Sequence, residues 1–458
     1  MSAATAARAP THTTETAPAT PALPRLLAGI PAHGAITLER HLALHGELPQ
    51  RSRRRRGVRA QALALIAEVE RAGLAGRGGA AFPTAVKMRA VAQARRRAIV
   101  LVNAAESEPA SRKDRTLLAL APHLVLDGGL LAARAVGADE VIVCACESAG
   151  AGADAVAQAI AERARAGGEE AELRLRTVPS HYVASQESAL VSHLNGGPAK
   201  PTFTPPMPFQ RGVAGRPTLV NNAETLAHLA LIARHGAEWF RQLGTPAQPG
   251  SALVTLSGSP VGQPGVYEIE PGASLASLID AAGGVSAPPR AALVGGYGGT
   301  WVGAERLPDL ALSSERLAAH GATLGAGVVV LLSQLACPAA ESARLARWLA
   351  DQSVRQCGPC LHGLDALAHS LEQIAAGAGG AGADARISRL ASLGRGRGAC
   401  GHPDGAIRVI LSAVQAFAAE LAEHARHGPC QACARPAELP LPARPIQPAA
   451  QQKASPRR

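Results

Sequence analysis

The chain has few aromatic side chains, and this weakens the most obvious interpretation of its charge. Its 458 residues include five phenylalanines, three tyrosines and three tryptophans, beside a formal net charge of +11. Proteins that bind nucleic acids combine basic surfaces with aromatic stacking platforms. Here only four of the 46 basic residues are lysines, and no predicted helix carries basic residues along one face. We therefore expect no nucleic-acid partner.

Long hydrophobic runs are also absent. The longest, residues 327–336, is too short for a membrane-spanning helix, which needs about 20 apolar residues. The N-terminus shows no charged start followed by an apolar core, which argues against a secretory signal. We expect a cytoplasmic protein without a membrane span, whose eight cysteines stay reduced and serve as metal ligands or core residues.

Both ends of the chain are predicted to be disordered. Residues 1–57 are rich in alanine, threonine and proline and end in a basic run at residues 51–56. Residues 429–458 are rich in proline and alanine. Neither segment offers enough apolar surface to offset the chain entropy that is lost on folding.

The sequence between these ends predicts an α/β domain followed by two smaller units. Over residues 58–248, helical patterns alternate with short apolar strands, which is typical of a parallel sheet with helices on both faces. Residues 249–335 predict strand, strand, helix, strand and strand, as in a small β-grasp module. Residues 336–428 show only helical patterns. Ligand sites are expected in the loops that follow the parallel strands.

A glycine-rich stretch, Gly76–Lys87, is the first candidate for a binding site. Closely spaced glycines let backbone amides approach an anion, and Arg77 and Lys87 add positive charge. The stretch follows a predicted helix rather than a strand, which counts against an ordinary dinucleotide fingerprint. The alternative is a flexible glycine-rich loop.

Polar residues follow a predicted buried strand, Ala98–Asn103. Asn103 can hydrogen-bond a ring system or a sugar chain, and Glu106 and Glu108 suit contacts to ribose or a carboxamide. Their place at the carboxyl end of the strand favours a ligand site. The alternative is a solvated acidic turn.

Two further stretches place polar groups near helix starts. Tyr182–Leu190 brings Glu187 to the start of a predicted helix. In Pro217–Leu226, Asn221, Asn222 and Thr225 suit a helix cap, and they could also donate to a phosphate at that helix N-terminus.

The cysteines indicate a metal site in the helical unit. Cys357 and Cys360 have Cys-x-x-Cys spacing, and Cys400 could supply a third thiolate, one short of the four that an iron–sulfur cluster uses. Zinc is the rival metal, since it also binds thiolates. Cys430 and Cys433 form a second Cys-x-x-Cys pair.

The second pair has two possible roles: it could complete the first site or bind something itself. His362 and His402 are other candidates for the missing ligand. Cys144, Cys146 and Cys337 lie in apolar surroundings and are interpreted as core residues.

The order of these motifs resembles a known family. The stretches Gly76–Lys87, Asn103–Arg115, Tyr182–Leu190 and Pro217–Leu226 follow one another as in the flavin-carrying subunit of respiratory complex I and its relatives in NAD-reducing hydrogenases and formate dehydrogenases. The resemblance spans residues 60–427. It implies a Rossmann-like FMN-binding domain, a β-grasp module of the SLBB kind and a helical bundle that carries an iron–sulfur site.

The resemblance also implies roles for individual residues. Positions that match the family's FMN site are Gly76, Arg77, Gly78, Lys87, Asn103, Glu106, Asn221, Asn222 and Thr225. Positions that face the nicotinamide nucleotide are Phe82, Glu108 and Glu187, and the ligands of a [4Fe–4S] cluster are Cys357, Cys360 and Cys400.

The sequence departs from the family at some of its binding positions. Val354 stands where the family has its first cluster cysteine, so a [3Fe–4S] form is an alternative. Ala90 and Met207 replace aromatic residues near the adenine, and Thr204 replaces a lysine.

The function implied by the resemblance is that of an NADH dehydrogenase subunit. NADH or NADPH would reduce FMN, and single electrons would pass through the cluster to a ferredoxin, to complex I-like acceptor subunits or to a quinone-reducing partner. One alternative is a non-enzymatic electron-transfer subunit that has lost nicotinamide binding. Another is a zinc-stabilised structural protein without flavin.

Overall fold

The computed structural model of the chain describes residues 23–31, 34–50, 52, 54–167, 171–380 and 382–442. The first unit is built on a four-stranded parallel sheet in the order β3-β2-β1-β4. Its strands are β1 (Ala98–Ala104), β2 (Ala138–Cys146), β3 (Glu172–Val178) and β4 (Thr218–Asn222). The predicted α/β class with a parallel sheet is confirmed.

Eight helices accompany this sheet in the described part of the chain. They are α1 (Leu38–His45), α2 (Arg55–Ala72), α3 (Thr84–Ala92), α4 (Lys113–Leu120), α5 (Pro122–Val136), α6 (Ala151–Ala166), α7 (Glu187–Leu194) and α8 (Ala223–Arg241). Residues 98–102 of β1 are all buried, because helices cover both faces of a parallel sheet. The carboxyl ends of β1 and β4 lie side by side, with Asn103 opposite Asn222.

The central helix α5 is buried along almost its whole length and packs against α8. A Cβ atom on Gly128 would lie 1.9 Å from the carbonyl oxygen of Leu226, so only glycine allows this approach. Asp127, on the same helix, is paired with His41, Arg163 and Arg234. Although burial opposes it, these partners hold the pKa of Asp127 well below its usual range.

The second unit is a five-stranded mixed sheet in the order β6-β5-β9-β7-β8. Its elements are β5 (Ala252–Ser257), β6 (Gly265–Ile269), α9 (Leu275–Ala281), β7 (Pro289–Val294), β8 (Thr300–Gly303), α10 (Ser314–Ala318) and β9 (Val328–Ser333). The predicted β-grasp character is confirmed, but the strand pattern missed β8. That strand has only four residues, and two glycines precede it.

The third unit is a bundle of five helices: α11 (Pro338–Asp351), α12 (Leu364–Ala375), α13 (Ala383–Gly394), α14 (His402–Ala416) and α15 (Ala418–His427). The pattern predicted one helix over residues 404–424, whereas α14 and α15 meet at a bend of 77°. Phe417 lies at this break with its side chain buried, which anchors the bend in the core.

The prediction of disordered ends is wrong for the described parts of both segments. The backbone amides of Arg25 and Leu26 donate to the Glu268 carboxylate, and Leu26 is buried. Near the other end, Leu439 is buried, and Glu438 accepts a hydrogen bond from the amide of Ser333. Buried apolar side chains and paired backbone groups offset the chain entropy in these places. Residues 1–22 and 443–458 lie outside the described residues.

The basic run at residues 51–56 lies in the segment that was predicted to be disordered, but part of it is helical. Helix α2 begins within it, at Arg55, and Arg54 is its N-cap residue. Arg51 and Arg53 lie outside the described residues.

No single helix in the described ranges is long and apolar enough to cross a bilayer. Two sharply bent pairs, α4 with α5 and α14 with α15, reach the required length and composition only when the two helices of a pair are taken together.

The contact between α5 and α8 leads to a stability prediction. We expect Gly128→Ala to lower the free energy of unfolding by about 1–3 kcal/mol or more, because the new methyl group must push the two backbones apart. The control is Gly363→Ala, where the nearest atom to the new Cβ lies 4.0 Å away. Thermal unfolding followed by circular dichroism measures both, and equal midpoints for the two variants would contradict this account of the packing.

Candidate functional site

A cavity of about 560 Å³ lies where the three units meet. Residues of the first unit that line it include Gly78, Gly79, Asn103, Glu106, Glu108, Ser111, Lys113, Asp114, Tyr182 and Asn222. The second unit contributes Gly295, Gly298, Gly325 and Ala326, and the third contributes Cys400, Gly401, His402, Gly405 and Arg408. The carboxyl ends of β1 and β4 open into this cavity, as expected for a ligand site of a parallel sheet.

The glycine-rich loop forms one wall of the cavity, close to the N-terminus of α8. The amide of Arg77 donates to Thr225 Oγ1 at 2.9 Å, which ties the loop to the first turn of that helix. A Cβ atom on Gly78 would lie 3.3 Å from the Cβ of Asn222. Asn222 caps α8 by accepting from the amide of Glu224 at 3.0 Å. The loop and a helix N-terminus, both suited to anions, therefore lie side by side.

A group of buried charged residues around Lys113, which we call the Lys113 cluster, adjoins the cavity. Lys113 Nζ lies 2.8 Å from Asp114 Oδ1 and 2.9 Å from Glu224 Oε2, and it donates to Asn222 Oδ1 at 3.4 Å. Burial alone would lower the pKa of Lys113, but the two carboxylates raise it well above its ordinary value. Burial would raise the pKa of Glu224, but Lys113, His228 and Arg77 together outweigh it and lower this pKa to about 2. The lysine therefore stays charged and links the two carboxylates.

Glu106 organises the turn between β1 and α4. Its carboxylate accepts from Ser111 Oγ at 2.6 Å and from the amides of Asp114 and Arg115, each at 3.1 Å. The alternative of a solvated acidic turn is therefore wrong for Glu106, which is 8% exposed. Bonds to three groups of one turn hold the carboxylate in a single orientation at the cavity wall.

Glu108 lies deeper, against the second unit. It accepts from the amide of Tyr297 at 2.9 Å and from the hydroxyl of Tyr182 at 3.2 Å. Burial raises the pKa of Glu108 to about 7. The negative charge of Glu106 adds to this rise, whereas the hydrogen bonds that Glu108 accepts oppose it. A carboxyl group poised near neutrality thus lines the cavity.

The cysteines of the third unit divide into two separate groups. Burial raises the pKa of Cys360 to about 12 and also raises that of Cys400, and the nearby Cys357 thiol adds to both shifts. Cys357, Cys360 and Cys400 therefore share one neighbourhood, and Cys400 also lines the cavity. Val354, which precedes them, is 7% exposed.

Cys430 and Cys433 lie at the other end of the bundle. Cys433 Sγ is 3.9 Å from His424 Nε2, and the other ring nitrogen of His424 bonds the carbonyl of Ala375, the last residue of α12. Cys360 precedes the start of α12, and twelve helical residues span about 18 Å. The hypothesis that Cys430 or Cys433 completes the first site is therefore wrong.

Comparisons with known proteins agree with this arrangement. Residues 69–231 match the model of the Nuo51 FMN-binding domain, residues 253–300 match the SLBB domain, and residues 340–424 match the iron–sulfur binding region of NADH-ubiquinone oxidoreductase-F. The F subunit of NADH-quinone oxidoreductase from Mycobacterium tuberculosis (strain ATCC 25618 / H37Rv) is 32% identical over 410 residues, which cover 83% of this chain and 90% of that protein. The chain belongs to this F-subunit family.

Other relatives support the same conclusion. The corresponding NADH-quinone oxidoreductase protein of Escherichia coli (strain K12) is 31% identical over 371 residues, which cover 78% of this chain and 83% of that protein. A crystal structure of a NAD⁺-reducing [NiFe]-hydrogenase in the H₂-reduced state superposes with a TM-score of 0.73 at 33% identity. The match covers 80% of this chain and 63% of the hydrogenase chain, so this chain spans less than two thirds of that protein.

Membership of the F-subunit family confirms the predicted resemblance and the predicted cofactors. The chain has an FMN-binding domain and a four-iron cluster-binding region. The alternative of a zinc-stabilised structural protein without flavin does not agree with these matches.

The structure brings together only some of the predicted site residues. Gly78, Asn103, Glu106, Glu108 and Asn222 line the cavity. The other predicted FMN residues are not part of the lining. Gly76 and Arg77 lie in the glycine-rich loop, Asn221 precedes Asn222, and Thr225 accepts from the Arg77 amide.

A third group of predicted residues lies apart from the cavity lining. Lys87 forms an ion pair with Glu187 and lies 5.9 Å from the ring centroid of Phe82, which is 46% exposed. None of these three residues lines the cavity.

Several residues that the structure brings to the site had no predicted role. Lys113 and Asp114 were part of a motif, but their burial could not be inferred from it. Arg408 and Gly298 come from distant parts of the chain and carry no local signal. One sequence feature could have identified this buried lysine: the charged run Lys113-Asp114-Arg115, which follows the polar residues at the end of β1.

The raised pKa of Glu108 leads to a prediction about pH. A carboxyl group whose pKa is raised from its ordinary value to about 7 stabilises the fold fully at pH values below its ordinary pKa, and this stabilisation is lost as the pH rises through about 7. The loss amounts to at most about 3 kcal/mol. We expect Glu108→Gln to lose less thermal stability than the wild type between about pH 5 and about pH 8.

The matched control is Glu305→Gln, which removes an exposed carboxylate. Thermal unfolding midpoints across this pH range provide the measurement. If Glu108→Gln followed the same pH curve as the wild type and the control, the carboxyl group would not titrate in this window.

Proposed function

We propose that the chain oxidises NADH or NADPH through FMN held in the central cavity and passes electrons to an iron–sulfur cluster on Cys357, Cys360 and Cys400. The observation that carries this proposal is one cavity lined both by the strand-end residues Asn103 and Glu106 and by Cys400. A flavin site and a metal-ligand thiol that share a wall suit short-range electron transfer.

The residues present suit FMN. Asn221 has a buried side-chain amide nitrogen with no hydrogen-bond partner among the described residues, beside the N-cap residue Asn222. A bound ligand in reach of this donor would satisfy it. The loop amides around Gly78 and the N-terminus of α8 would hold the phosphate, because glycines let backbone N–H groups approach an anion and a helix N-terminus carries positive potential.

The chain supplies position and charge, while the chemistry belongs to the cofactor. When bound, FMN accepts a hydride from a nicotinamide and releases the two electrons singly. Asn103 and Asn222 would orient the ring and the ribityl chain from the two adjacent strand ends. Glu108, held by Tyr182 and Tyr297, would face the nucleotide.

The three cysteines suit three corners of a cluster. Cys357, Cys360 and Cys400 would each bind one iron, and Val354 leaves the fourth corner without a protein thiolate. His402 stays a candidate ligand for this corner: its Nε2 is bonded to the Leu349 carbonyl at 2.9 Å, and its buried Nδ1 has no hydrogen-bond partner among the described residues.

The electron acceptor is proposed to be a separate protein. The relatives are named as subunits of NADH-quinone oxidoreductase, so partner subunits follow from the family, and a ferredoxin-like or complex I-like protein is the proposed acceptor. We propose a cytoplasmic location, because the structure pairs none of the eight cysteines in a disulfide and thiols stay reduced in the cytoplasm.

One observation favours a second candidate, an electron-transfer subunit that no longer binds the nicotinamide. Phe82 and Glu187, predicted to face the nucleotide, lie outside the cavity lining. Met207 is 40% exposed and stands where the family has an aromatic residue. Such a subunit would carry FMN but would take its electrons from a partner protein.

The first experiment tests the flavin and the nucleotide together. We expect the anaerobically purified chain to be yellow, and its flavin absorbance should bleach on addition of NADH or NADPH. Asn222→Ala should weaken FMN binding about tenfold or more, because it removes the amide nitrogen that donates to Asp114 in the cavity wall and the oxygen that caps α8 by accepting from the Glu224 amide. Absorption spectra and equilibrium dialysis against FMN provide the measurements.

The control is Asn195→Ala, which changes an exposed asparagine outside the cavity and should bind FMN like the wild type. A chain that neither contains nor takes up FMN would refute the proposal. A yellow chain whose spectrum does not respond to either nucleotide would select the second candidate.

The second experiment tests the incomplete cluster. We expect Val354→Cys to raise the iron content from about three towards about four per chain and to slow the oxidative loss of iron, because a fourth thiolate closes the open corner. Iron analysis and electron paramagnetic resonance provide the readouts. Val354→Ala, which adds no thiol, is the matched control. Identical iron content and spectra for the two variants would place Val354 outside the cluster site.

A further inference from the structure

Three cysteines and a histidine converge at the end of the bundle that lies away from the cavity. Cys337 immediately precedes α11, His424 lies on α15, and Cys430 and Cys433 lie in the segment that follows. Their four ligand atoms all lie within 4.8 Å of one another. We call this group the Cys337 cluster. Cys337 was predicted to be a core residue, and it is buried, but its sulfur faces potential metal ligands rather than apolar side chains alone.

The distances within the Cys337 cluster match those around one small ion. Cys337 Sγ lies 3.4 Å from both His424 Nε2 and Cys433 Sγ. Cys433 Sγ lies 3.8 Å from Cys430 Sγ and 3.9 Å from His424 Nε2. Tetrahedral bonds of zinc to sulfur and nitrogen place neighbouring ligand atoms about 3.5–3.8 Å apart. A cluster of several irons would need ligands that are further apart.

The histidine is already oriented for coordination. His424 Nδ1 lies 3.0 Å from the carbonyl oxygen of Ala375, so this nitrogen carries the proton and donates it to the carbonyl. The lone pair then belongs to Nε2, the atom that faces the cysteines. A metal-binding histidine commonly has such a second hydrogen bond, which sets the tautomer and the plane of its ring. His424 is 2% exposed, so its orientation is held by packing as well.

The cysteines have the form of a closed structural site. The amide of Ala340 points at Cys337 Sγ from 3.4 Å, a contact that favours a thiolate. The amide of Cys433 bonds the carbonyl of Cys430 at 3.0 Å, so the Cys-x-x-Cys segment is a tight turn that directs both sulfurs to one side. Four protein ligands leave no open coordination position, in contrast to a catalytic zinc site.

We propose that Cys337, His424, Cys430 and Cys433 bind one structural Zn²⁺ ion. The three thiols release their protons to solvent on binding, the histidine binds as the neutral imidazole, and the ion stays in the divalent state. No electron moves, so the site is independent of the flavin and of the iron–sulfur cluster.

The ion fastens the C-terminal segment to the junction between the second and third units. A few residues beyond Cys433 in sequence, the chain reaches a second anchor around Glu438. The Glu438 carboxylate accepts from the amide of Ser333 at the end of β9, and Glu341 of α11 accepts from the amides of Glu438 and Leu439. The metal and these bonds together clamp the segment across the point where β9 leads into α11.

The test is metal analysis of the full chain purified without added metal or chelator. We expect about one zinc per chain in the wild type, as four protein ligands bind zinc tightly. Cys430→Ser should lose most of this zinc and retain its iron, and it is suited to the test because Cys430 is exposed and its replacement leaves the core intact. Cys357→Ser is the matched control: it should lose iron and keep its zinc.

A second measurement uses cobalt in place of zinc. Refolding or growth with Co²⁺ should produce the intense ligand-field bands of tetrahedral thiolate coordination in the wild type and in Cys357→Ser, and these bands should be weak in Cys430→Ser and in His424→Gln. Three outcomes would overturn the proposal: a wild type without zinc, a metal content that Cys430→Ser does not change, or a Cys430–Cys433 disulfide detected by mass spectrometry in the freshly purified chain. Iron in place of zinc at the same residues would overturn the assignment of the metal.

Discussion

The buried Lys113 cluster holds the central cavity together. Its ammonium group lies between Asp114 of α4 and Glu224 of α8, and it reaches Asn222 at the end of β4. Glu224 uses its other oxygen to accept the amide of Leu253 in β5, so the same ions link the first unit to the second. Breaking a buried ion pair on one side costs about 3–5 kcal/mol. Displacement of any of these elements would leave a buried charge unpaired, and this penalty keeps the cavity wall in one arrangement.

The position of the cavity follows from that constraint. The parallel pairing of β1 with β4 places Asn103 opposite Asn222, and the glycine-rich loop can approach both because Gly78 has no side chain. The second and third units then close the opposite side with glycines and with Cys400. A flavin held there would be enclosed by polar groups of one unit and by a metal-ligand thiol of another, an arrangement that suits conversion of a hydride into single electrons.

The helical bundle has different roles at its two ends. Cys357, Cys360 and Cys400 lie at the end that faces the cavity, where a redox cluster is useful. The Cys337 cluster lies about 18 Å away along α12, where metal chemistry would serve only to fasten the C-terminal segment. A helical bundle can carry two separate sites, because rigid helices keep its two ends apart while the residues between them form one apolar core.

Features that depend on neighbouring residues could be predicted from the amino-acid sequence. The alternation of apolar strands with helices indicated the parallel sheet, and the glycine spacing of residues 76–79 and the polar residues after β1 indicated a ligand site at its edge. These signals are local, because backbone geometry and strand burial repeat over a few residues. The order of the motifs then indicated the family, since independent local patterns rarely occur in the same order by chance.

Contacts between residues that are distant in sequence became known only from the packing of the whole chain. Cys337 and His424 are 87 positions apart, and Arg25 and Glu268 are 243 apart, yet each pair is in contact. The same holds for the buried partners of Lys113 and for the separation of Cys430 and Cys433 from Cys360. Such contacts depend on how whole helices and sheets pack, and the free energy of that packing is a sum over the entire core that no short stretch of sequence contains.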